Sequence, residues 1–468
     1  MLKPGDSIHL LGVCGTAMGT FAAMLAEKGY RVTGSDQGVY PPMSDLLAAK
    51  GIDIASPYSP DNLEPRPDVV VVGNAIPRGN PELEAVLDGG LRYRSFPELL
   101  RELFLDDAHP VVITGTHGKT TTTAMTGVAL MAAGEDPSVL VGGHVHDLDG
   151  SHRLGSGEAF VLEGDEYDTA YFDKSPKFLH YFPKTLVINN LEFDHADIFD
   201  SLEALELQFR RLVRVVPRSG RILLGDASEA AARVVAEAPA PIERFGLADD
   251  SDWQAVDLRD GDDGPSFELR HRGETLGRIQ IPLSGEHNIR NAVAAAAIAI
   301  GRGGDFDAVA KGLGAMRGVK RRLEVRGEAG GVLVYDDFAH HPTAIEATLK
   351  ALRTKHEGRR IWGLFEPRSW TSRRKVHQAA LQDALAAADL SVIAPVYQPE
   401  RLPAEIRLEP TEVAEGLRGA GRQSWAPDGV DAIVDIVGEH AKEGDVVAVM
   451  SNGSFDGIHG RLLERLGG

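Results

Sequence analysis

A Gly-Lys-Thr sequence lies between an apolar run and a threonine-rich run, in the stretch VVITGTHGKTTTTAMTGVAL. Glycines at Gly115 and Gly118 would let backbone N–H groups turn towards an anion, and a following helix would add its dipole. Lys119 would supply positive charge for the β and γ phosphates of a nucleotide, and Thr120 a hydroxyl for Mg²⁺. The common pattern GxxxxGK[ST] needs a glycine where Ile113 stands. We expect a shortened phosphate loop; the alternative is a glycine turn with an exposed lysine.

Two groups of carboxylate and imidazole side chains follow later apolar runs, in VLEGDEYD and NNLEFDHADIFD. Their members are Glu163, Asp165, Glu166 and Asp168 in the first group, and Glu192, Asp194, His195 and Asp197 in the second. The carboxyl ends of parallel strands meet at one edge of a sheet, so both groups could converge on the phosphate loop. Mg²⁺ prefers oxygen ligands and tolerates an imidazole. Either group taken alone is more often a solvated loop than a site, but their shared position relative to the phosphate loop favours a site.

The N-terminal run SIHLLGVCGTAMG has the position of a dinucleotide-binding fingerprint but departs from GxGxxG. Counted from Gly12, the second and third glycine positions hold Cys14 and Ala17, which argues against a nicotinamide cofactor. The start of the helix could still bind a diphosphate. Asp36, at the end of the second strand pattern, could accept a hydrogen bond from a ribose or base, or could simply be a turn residue.

Charged residues also follow strand patterns in the last third of the chain, in YDDFAHHP and EPRSWTSRR. The candidates are Asp336, Asp337, His340, His341, Arg368 and the run from Arg373 to Lys375. They could bind a charged small molecule or reach a nucleotide across a gap between domains. Surface ion pairing is the alternative.

Three segments of the chain each begin again with an apolar run, a polar turn and a helical pattern, which predicts parallel sheets. We therefore predict an α/β protein with three domains. The first (1–107) and third (323–468) would be Rossmann-like. The central one (108–322) would have the parallel sheet of a P-loop ATPase with a small antiparallel part in FELRHRGETLGRIQIPL.

The composition limits the class of protein. Acidic residues outnumber basic ones 69 to 49 among 468 residues, so we expect no nonspecific binding to nucleic acid or to an anionic membrane. The lone cysteine, Cys14, excludes an intrachain disulfide, and no apolar run reaches the length of a membrane span. We expect a cytoplasmic protein that is a monomer or a weak dimer.

Six motifs, in order along the chain, resemble the Mur ligase family: TGTHGKTTTT, EGDEYD, NNLEFDHADIF, SGEHNIRNAVAAA, RRLEVRGEAGGVLVYDDFAHHPTAI and MSNG. Members of this family are ATP-dependent, ADP-forming amide ligases that build peptidoglycan precursors. DEYDTAYFDKSPKF, EPRSWT and MSNGSF are more similar to the recycling branch, which joins L-Ala-γ-D-Glu-meso-diaminopimelate to UDP-N-acetylmuramate, than to the branch that joins L-alanine. The resemblance therefore implies ATP, UDP-N-acetylmuramate and the murein tripeptide as substrates.

The resemblance also implies roles for individual residues. Catalysis is expected of Lys119, Glu163 and His195, and Mg²⁺ binding of Thr120, Glu163 and His195. ATP binding is expected of Gly115, Thr116, His117, Gly118, Lys119, Thr120, Thr121, Asn288, Asn291, Arg322 and Asp337. UDP-sugar binding by the first domain is expected of Gly12, Gly15, Thr16, Asp36 and Asn74, and peptide binding by the third domain of His340, Arg368 and Asn452.

Other interpretations remain open at this point. His195 could be a general base for the amine instead of a metal ligand, but an imidazole bound to a metal has no free lone pair for that proton. Several Mur ligases carry a carbamylated lysine after the metal histidine; no lysine lies between Lys184 and Arg218, so none can serve here. A folylpolyglutamate synthase, an NAD-dependent oxidoreductase and a regulatory nucleotide-binding protein are the more distant alternatives.

Overall fold

A computed structural model of the chain describes residues 2–41, 43–194 and 198–468. Its strands are β1 Ser7–Leu11, β2 Arg31–Ser35, β3 Asp53–Ala55, β4 Val69–Val72, β5 Tyr93–Ser95, β6 His109–Thr114, β7 Ser138–Val145, β8 Gly150–Arg153, β9 Ala159–Glu163, β10 Thr185–Ile188, β11 Arg221–Gly225, β12 Ile242–Gly246, β13 Trp253–Arg259, β14 Ser266–His271, β15 Glu274–Gln280, β16 Glu324–Ala329, β17 Val332–Asp337, β18 Ile361–Phe365, β19 Leu390–Ile393, β20 Gln423–Trp425 and β21 Val446–Met450.

Helices alternate with these strands over most of the described chain. They are α1 Thr16–Glu27, α2 Met43–Ala49, α3 Pro81–Asp88, α4 Phe96–Leu100, α5 Lys119–Ala132, α6 Leu202–Val215, α7 Glu229–Val235, α8 Glu286–Gly301, α9 Phe306–Gly314, α10 Pro342–Lys355, α11 Gln378–Leu385, α12 Pro410–Gly419, α13 Val430–His440 and α14 Ile458–Gly467. None of the helices in the described ranges is both long and apolar enough to cross a bilayer.

The first sheet has five parallel strands in the order β3-β2-β1-β4-β5. The chain moves to one side of β1 through β2 and β3, and to the other side through β4 and β5. A crevice therefore forms beyond the carboxyl ends of β1 and β4, where ligands bind in doubly wound sheets. The loops after Leu11 and Val72 begin at that crevice.

The second sheet has ten strands in the order β15-β14-β13-β12-β11-β10-β6-β9-β7-β8. The strands β10, β6 and β9 are parallel neighbours, so the segments after all three leave the sheet at the same edge. The hairpin of β14 and β15 is antiparallel, as the sequence predicts, and β8 adds a second antiparallel edge.

Helices α5 and α8 pack together against the second sheet, and most of α8 is inaccessible to solvent. Its run AVAAAAIA allows close approach because alanine side chains are short. This packing joins the start of α8 to the start of α5, directly beside the phosphate loop predicted from the sequence.

The third sheet has the order β16-β17-β21-β18-β19-β20, with parallel pairing except at the edge strand β16. Its two faces are covered by separate apolar clusters, one centred on α10 and α11 and the other on α13 and α14. The predicted three-part α/β fold is thus confirmed. The boundaries at 107 and 322 stay a prediction.

Candidate active site

The segment between β6 and α5 folds into a tight loop around two glycines with positive φ, Gly115 at 125° and Gly118 at 82°. A Cβ added at Gly115 would lie 2.9 Å from the carbonyl oxygen of Asn190, and one at Gly118 would lie 2.7 Å from Oδ1 of Asn291. Other residues rarely adopt this backbone conformation, and neither position has room for a side chain. The sequence fits the shortened phosphate loop, with Ile113 inside β6.

Four asparagines, from the segment after β10 and from α8, stabilise this loop by hydrogen bonds. The backbone N–H of His117 donates to Oδ1 of Asn190, which follows β10, at 2.8 Å. Thr122 accepts from Nδ2 of Asn189 at 3.0 Å and donates to Oδ1 of Asn291 at 3.0 Å. These hydrogen bonds fix the turn against the neighbouring strand and against α8, so its N–H groups are preorganised for an anion.

The fourth asparagine, Asn288, accepts from Nδ2 of Asn291 at 3.2 Å and donates to the carbonyl of Ser284 at 2.8 Å. Both of these α8 asparagines, predicted to contact the nucleotide, are buried and line the large cavity described below. In the described structure their amides also form hydrogen bonds that hold α8 against its neighbours.

Lys119 opens α5 and turns back over the loop. Its Nζ donates to the carbonyl of Gly115 at 2.5 Å and lies 3.2 Å from Oε2 of Glu166, which is almost wholly buried. Glu166 follows β9, and Glu192 of the second group lies 3.1 Å from Nε2 of His117, so members of both predicted carboxylate groups reach the loop. The ammonium therefore lies at the mouth of the loop, where a phosphate would be neutralised.

Thr120 and Glu163 face each other beside Lys119. Oγ1 of Thr120 donates to Oε2 of Glu163 at 3.1 Å, and Oε1 of Glu163 accepts from the backbone N–H of Gly142 at 2.6 Å. Burial raises the pKa of Glu163, opposed by those hydrogen bonds and by the charges of Lys119 and Arg322. His195, the third predicted metal ligand, lies outside the described residues.

The predicted oxygen ligands fit a magnesium ion in type and spacing. An octahedral ion with bonds of about 2.1 Å separates adjacent ligand atoms by about 3.0 Å. The 3.1 Å between Thr120 and Glu163 matches that edge. A cation would also stabilise the charged form of Glu163 against the cost of burial.

Asp337 extends the site into the third domain, and Arg322 lies at the end of the second. Nη2 of Arg322 lies 3.3 Å from Oγ1 of Thr120, and burial lowers the pKa of the guanidinium. Asp337 accepts from the backbone N–H groups of Leu323 and Ala339 at 2.7 and 2.8 Å. Asp337 therefore fixes the segment that carries Arg322, and it borders the cavity as well.

A cavity of about 2060 Å³ lies between the three sheets. Residues from all three predicted domains line it, including Thr16 and Asn74 from the first, the phosphate loop from the second, and Phe338 and Asn452 from the third. A pocket for one small ligand is typically about 300–1,000 Å³, so this cavity has room for more than one. The interdomain cavity is the candidate active site.

The predicted UDP-sugar residues divide into two sets. Thr16 and Asn74 line the interdomain cavity, whereas Gly12, Gly15 and Asp36 do not. Asp36 accepts hydrogen bonds from the backbone N–H groups of Cys14 and Gly38 at 2.8 and 3.0 Å, which shapes the turn before α1. The turn interpretation of Asp36 thus has direct support, and its contact with a nucleotide stays a prediction.

Comparison with known families gives a consistent result along the whole chain. Residues 7–107 match the Mur ligase family catalytic domain, residues 113–299 the Mur ligase middle domain, and residues 321–453 the Mur ligase glutamate ligase domain. The chain belongs to the Mur ligase family. Mur ligases form amide bonds with ATP, and this chain is an enzyme of that class.

Individual relatives of this Mur ligase are similar over their full length. The UDP-N-acetylmuramate--L-alanyl-gamma-D-glutamyl-meso-2,6-diaminoheptandioate ligase of Escherichia coli (strain K12) is 44% identical over 98% of this chain and 98% of its own. A UDP-N-acetylmuramate--L-alanine ligase of Deinococcus radiodurans is 34% identical over 96% and 92%. The solved structure of a murein peptide ligase from Psychrobacter arcticus 273-4 is 39% identical, with a TM-score of 0.72 over 99% of both chains.

The three predicted peptide-binding residues of this Mur ligase, His340, Arg368 and Asn452, all line the cavity on its C-terminal side. The guanidinium of Arg368 lies 4.0 Å from the centre of the Tyr397 ring. Oδ1 of Asn452 is buried without a hydrogen-bond partner among the described residues. These three side chains of the third domain are positioned to contact a ligand in the cavity.

The stretch DEYDTAYFDKSPKF, which the sequence analysis associates with the choice of peptide, lies in two different environments. Asp165, Glu166 and Tyr167 line the interdomain cavity. Phe172 instead packs edge to face on Tyr93 of the first domain, with ring centres 5.4 Å apart. The later half of the stretch therefore contributes to the contact between domains.

Several cavity residues were missed by the sequence analysis. Asn189 and Asn190 begin the quoted motif NNLEFDH and directly follow β10, a position that could have revealed them. Arg321 donates to the carbonyls of Ser451 and Gly453 at 2.5 and 2.7 Å, and no sequence signal predicts that contact.

Proposed function

We propose that this enzyme joins L-alanyl-γ-D-glutamyl-meso-2,6-diaminoheptandioate to the lactyl carboxylate of UDP-N-acetylmuramate, with conversion of ATP to ADP and phosphate, in peptidoglycan recycling. The observation that carries the proposal is the full-length identity of 44% with the relative that bears this activity in its name. The L-alanine ligase at 34% is the alternative.

Charge on the C-terminal side of the cavity supports the larger acceptor. Arg373 and Arg401 line the cavity and have no ion-pair partner among the described residues, and Nε of buried Arg373 also lacks a hydrogen bond. Guanidinium groups bind carboxylates in a fork geometry. Nη1 of Arg373 donates to the carbonyl of Tyr397 at 3.0 Å, but neither guanidinium has a carboxylate partner among the described residues. The tripeptide has three carboxylates and L-alanine has one, so these arginines favour the tripeptide. His340, Arg368 and Asn452 would complete this subsite.

The first step would be attack of the lactyl carboxylate oxygen on the γ-phosphorus of ATP. The bond to the β,γ-bridging oxygen breaks, ADP leaves, and an acyl phosphate forms. The loop N–H groups and Lys119 would hold the phosphates, since phosphoryl transfer depends mainly on position and charge neutralisation. Arg322, at 3.3 Å from Thr120, would add a second positive charge at the transferred group.

Thr120 and Glu163, together with His195, would hold Mg²⁺. When bound, the ion supplies charge neutralisation to the phosphate oxygens. The remaining ATP contacts proposed from the sequence are the backbone of Gly115 to Gly118, the Thr121 hydroxyl and the amides of Asn288 and Asn291.

In the second step the free amine of the tripeptide attacks the acyl carbon, the amide bond forms, and phosphate leaves with the bonding pair. The amine must lose its proton, and water must be kept from the acyl phosphate. A cavity between three domains suits both demands. We propose that residues 1–107 bind the UDP-sugar, 108–322 bind ATP and 323–468 bind the peptide, and that the reaction occurs in the cytoplasm, where both nucleotides are available.

Phosphate release measured with ATP, Mg²⁺ and UDP-N-acetylmuramate tests the proposal. We expect turnover when the tripeptide is added and little turnover with L-alanine. The Lys119→Ala variant is the control for contaminating ATPase. Turnover with L-alanine comparable to that with the tripeptide would reject the recycling assignment and favour the alternative. Mass spectrometry of the product identifies which amide has formed.

A further inference from the structure

Three potential metal ligands meet at the contact between the second and third domains. His117 lies in the phosphate loop, Glu192 follows β10, and His341 precedes α10 of the third domain. One ligand atom from each lies within 4.8 Å of the others. They share no residue with the set proposed for Mg²⁺. We call them the His-Glu-His cluster.

The distances in the cluster fit a tetrahedral ion. Zn²⁺ with bonds of about 2.0–2.1 Å separates its ligand atoms by about 3.3 Å. Nε2 of His117 lies 3.1 Å from Oε2 of Glu192, and Nδ1 of His341 lies 3.5 Å from the same oxygen. The third edge, between the two imidazoles, is at most 4.8 Å and needs only a small ring movement to close.

His341 is buried, and its ring nitrogens lack hydrogen-bond partners among the described residues. Its side chain is 7% exposed, and neither ring nitrogen has a hydrogen-bond partner within the described residues. Such groups are rare in folded proteins because an unpaired buried polar atom costs free energy. Nε2 of the adjacent His377 is buried without a partner in the same way, and the two rings lie 4.9 Å apart. A bound ion would account for Nδ1 of His341, the nitrogen that lies beside Glu192.

The charge state of the cluster also suits a metal. Burial lowers the pKa of His341, so its ring is neutral near pH 7 and a nitrogen lone pair is available. Burial alone would raise the pKa of Glu192, but side-chain hydrogen bonds, including the one from Thr343, hold it low, so the carboxylate is ionised. Thr343 donates to Glu192 at 2.7 Å and would orient this carboxylate as an outer partner.

We propose that His117, Glu192 and His341 form a binding site for a transition-metal ion of the Zn²⁺ type, separate from the Mg²⁺ site. Two imidazoles and one carboxylate are a common ligand set for zinc and a poor one for magnesium, which prefers oxygen. The fourth position is open to water. Since the ligands come from two domains, the site is complete only where the third domain lies against the phosphate loop.

The test is binding of zinc and cobalt to the full-length protein in the presence of excess Mg²⁺. We expect one Zn²⁺ per chain by equilibrium dialysis and elemental analysis. With Co²⁺ we expect the intense visible absorption bands of a four-coordinate ion. His341→Gln and His117→Gln are each expected to weaken Zn²⁺ binding at least about tenfold and to remove those bands.

Two further variants make the outcome specific. His356→Gln changes another histidine of the third domain, which instead contacts Tyr335 at 2.9 Å, and should bind Zn²⁺ like the unaltered protein. Glu163→Gln should also retain Zn²⁺. Loss of zinc in Glu163→Gln with retention in His341→Gln would assign the ion to the Mg²⁺ site and overturn the proposal, as would absence of zinc from the unaltered protein. If His341→Gln fails to fold, Glu192→Gln, checked by circular dichroism, gives the same decision.

Discussion

At the residue scale, Lys119 combines two tasks that the sequence could not separate. It provides charge at the phosphate loop, and it lies 3.2 Å from the buried carboxylate of Glu166. A buried carboxylate that loses a neighbouring cation loses part of the compensation for its desolvation cost. Loss of activity in a lysine variant therefore has to be distinguished from loss of stability.

We expect Lys119→Ala to reduce phosphate release at least about 10³-fold and the unfolding free energy by about 1–3 kcal/mol. In Lys119→Ala/Glu166→Gln the neutral amide removes the buried charge, so stability should recover while activity stays lost. Phosphate release and chemical unfolding of both variants measure the two effects. Substantial turnover by folded Lys119→Ala would contradict the proposed role.

His109, at the start of β6, makes the stability of the second domain depend on pH. Burial lowers its pKa to about 4, and the charges of Arg302, Lys184 and Arg221 act in the same direction. The unfolded chain takes up a proton near pH 6.5 and the folded chain does not, so this contribution is complete above pH 6.5 and is lost as pH falls towards 4.

His109→Gln should remove that part of the pH dependence and keep a polar group near Oγ1 of Thr185, 2.9 Å away from the imidazole. We expect the difference between unfolding free energies at pH 7.5 and pH 4.5 to shrink by about 1–2 kcal/mol, after allowance for partial exposure. Urea unfolding at the two pH values measures it. An unchanged difference would show that the imidazole is not excluded from water.

At the element scale, the turn from β6 into α5 depends on glycine backbones. Gly118 and Gly134 flank the same helix with nearly equal φ, 82° and 86°. Only Gly118 is enclosed, since a Cβ on Gly134 would meet no atom within 4 Å. Substitutions at the two positions therefore distinguish two effects: the strain of a positive φ, which both share, and a steric clash with neighbouring side chains, which only Gly118 has.

Gly134→Ala should cost about 1–2 kcal/mol of stability and leave phosphate release unchanged. Gly118→Ala should cost more, because the new methyl group displaces Asn291, and should slow phosphate release at least about tenfold through misplaced N–H donors. Thermal unfolding and steady-state kinetics on the matched pair provide the comparison. Equal effects of the two changes would count against a preorganised loop.

At the scale of the whole molecule, side chains of the third domain contact the phosphate loop and the segment after β10. Thr343 donates to Glu192 at 2.7 Å, and His340 lies 3.8 Å from Asp194. A contact made by polar side chains of two domains suits a hinge that opens for substrates and closes to exclude water from the acyl phosphate.

We expect the radius of gyration from small-angle X-ray scattering to fall when a non-hydrolysable ATP analogue and UDP-N-acetylmuramate are added together. Lys119→Ala, with weakened nucleotide binding, should contract less under the same conditions. An unchanged radius in the unaltered protein would contradict closure of the third domain on the nucleotide.

The sequence determined the local features of this enzyme. The apolar runs and glycine positions predict the strand, loop and helix around Lys119, the buried helix α8 and the antiparallel hairpin of β14 and β15, because side-chain periodicity and allowed φ values act over a few residues. The ordered motifs were enough to identify the family and to predict the two carboxylate groups beside the loop.

The tertiary structure decided which distant residues meet. Arg322 reaches Thr120 across 202 positions of sequence, and His341 reaches Glu192 from another domain. No periodicity encodes such contacts, since they depend on how three separately folded sheets pack around one cavity. The sequence therefore determined the phosphate loop and its chemistry, and the packing of the domains determined the shape of the site, the placement of its arginines and the His-Glu-His cluster.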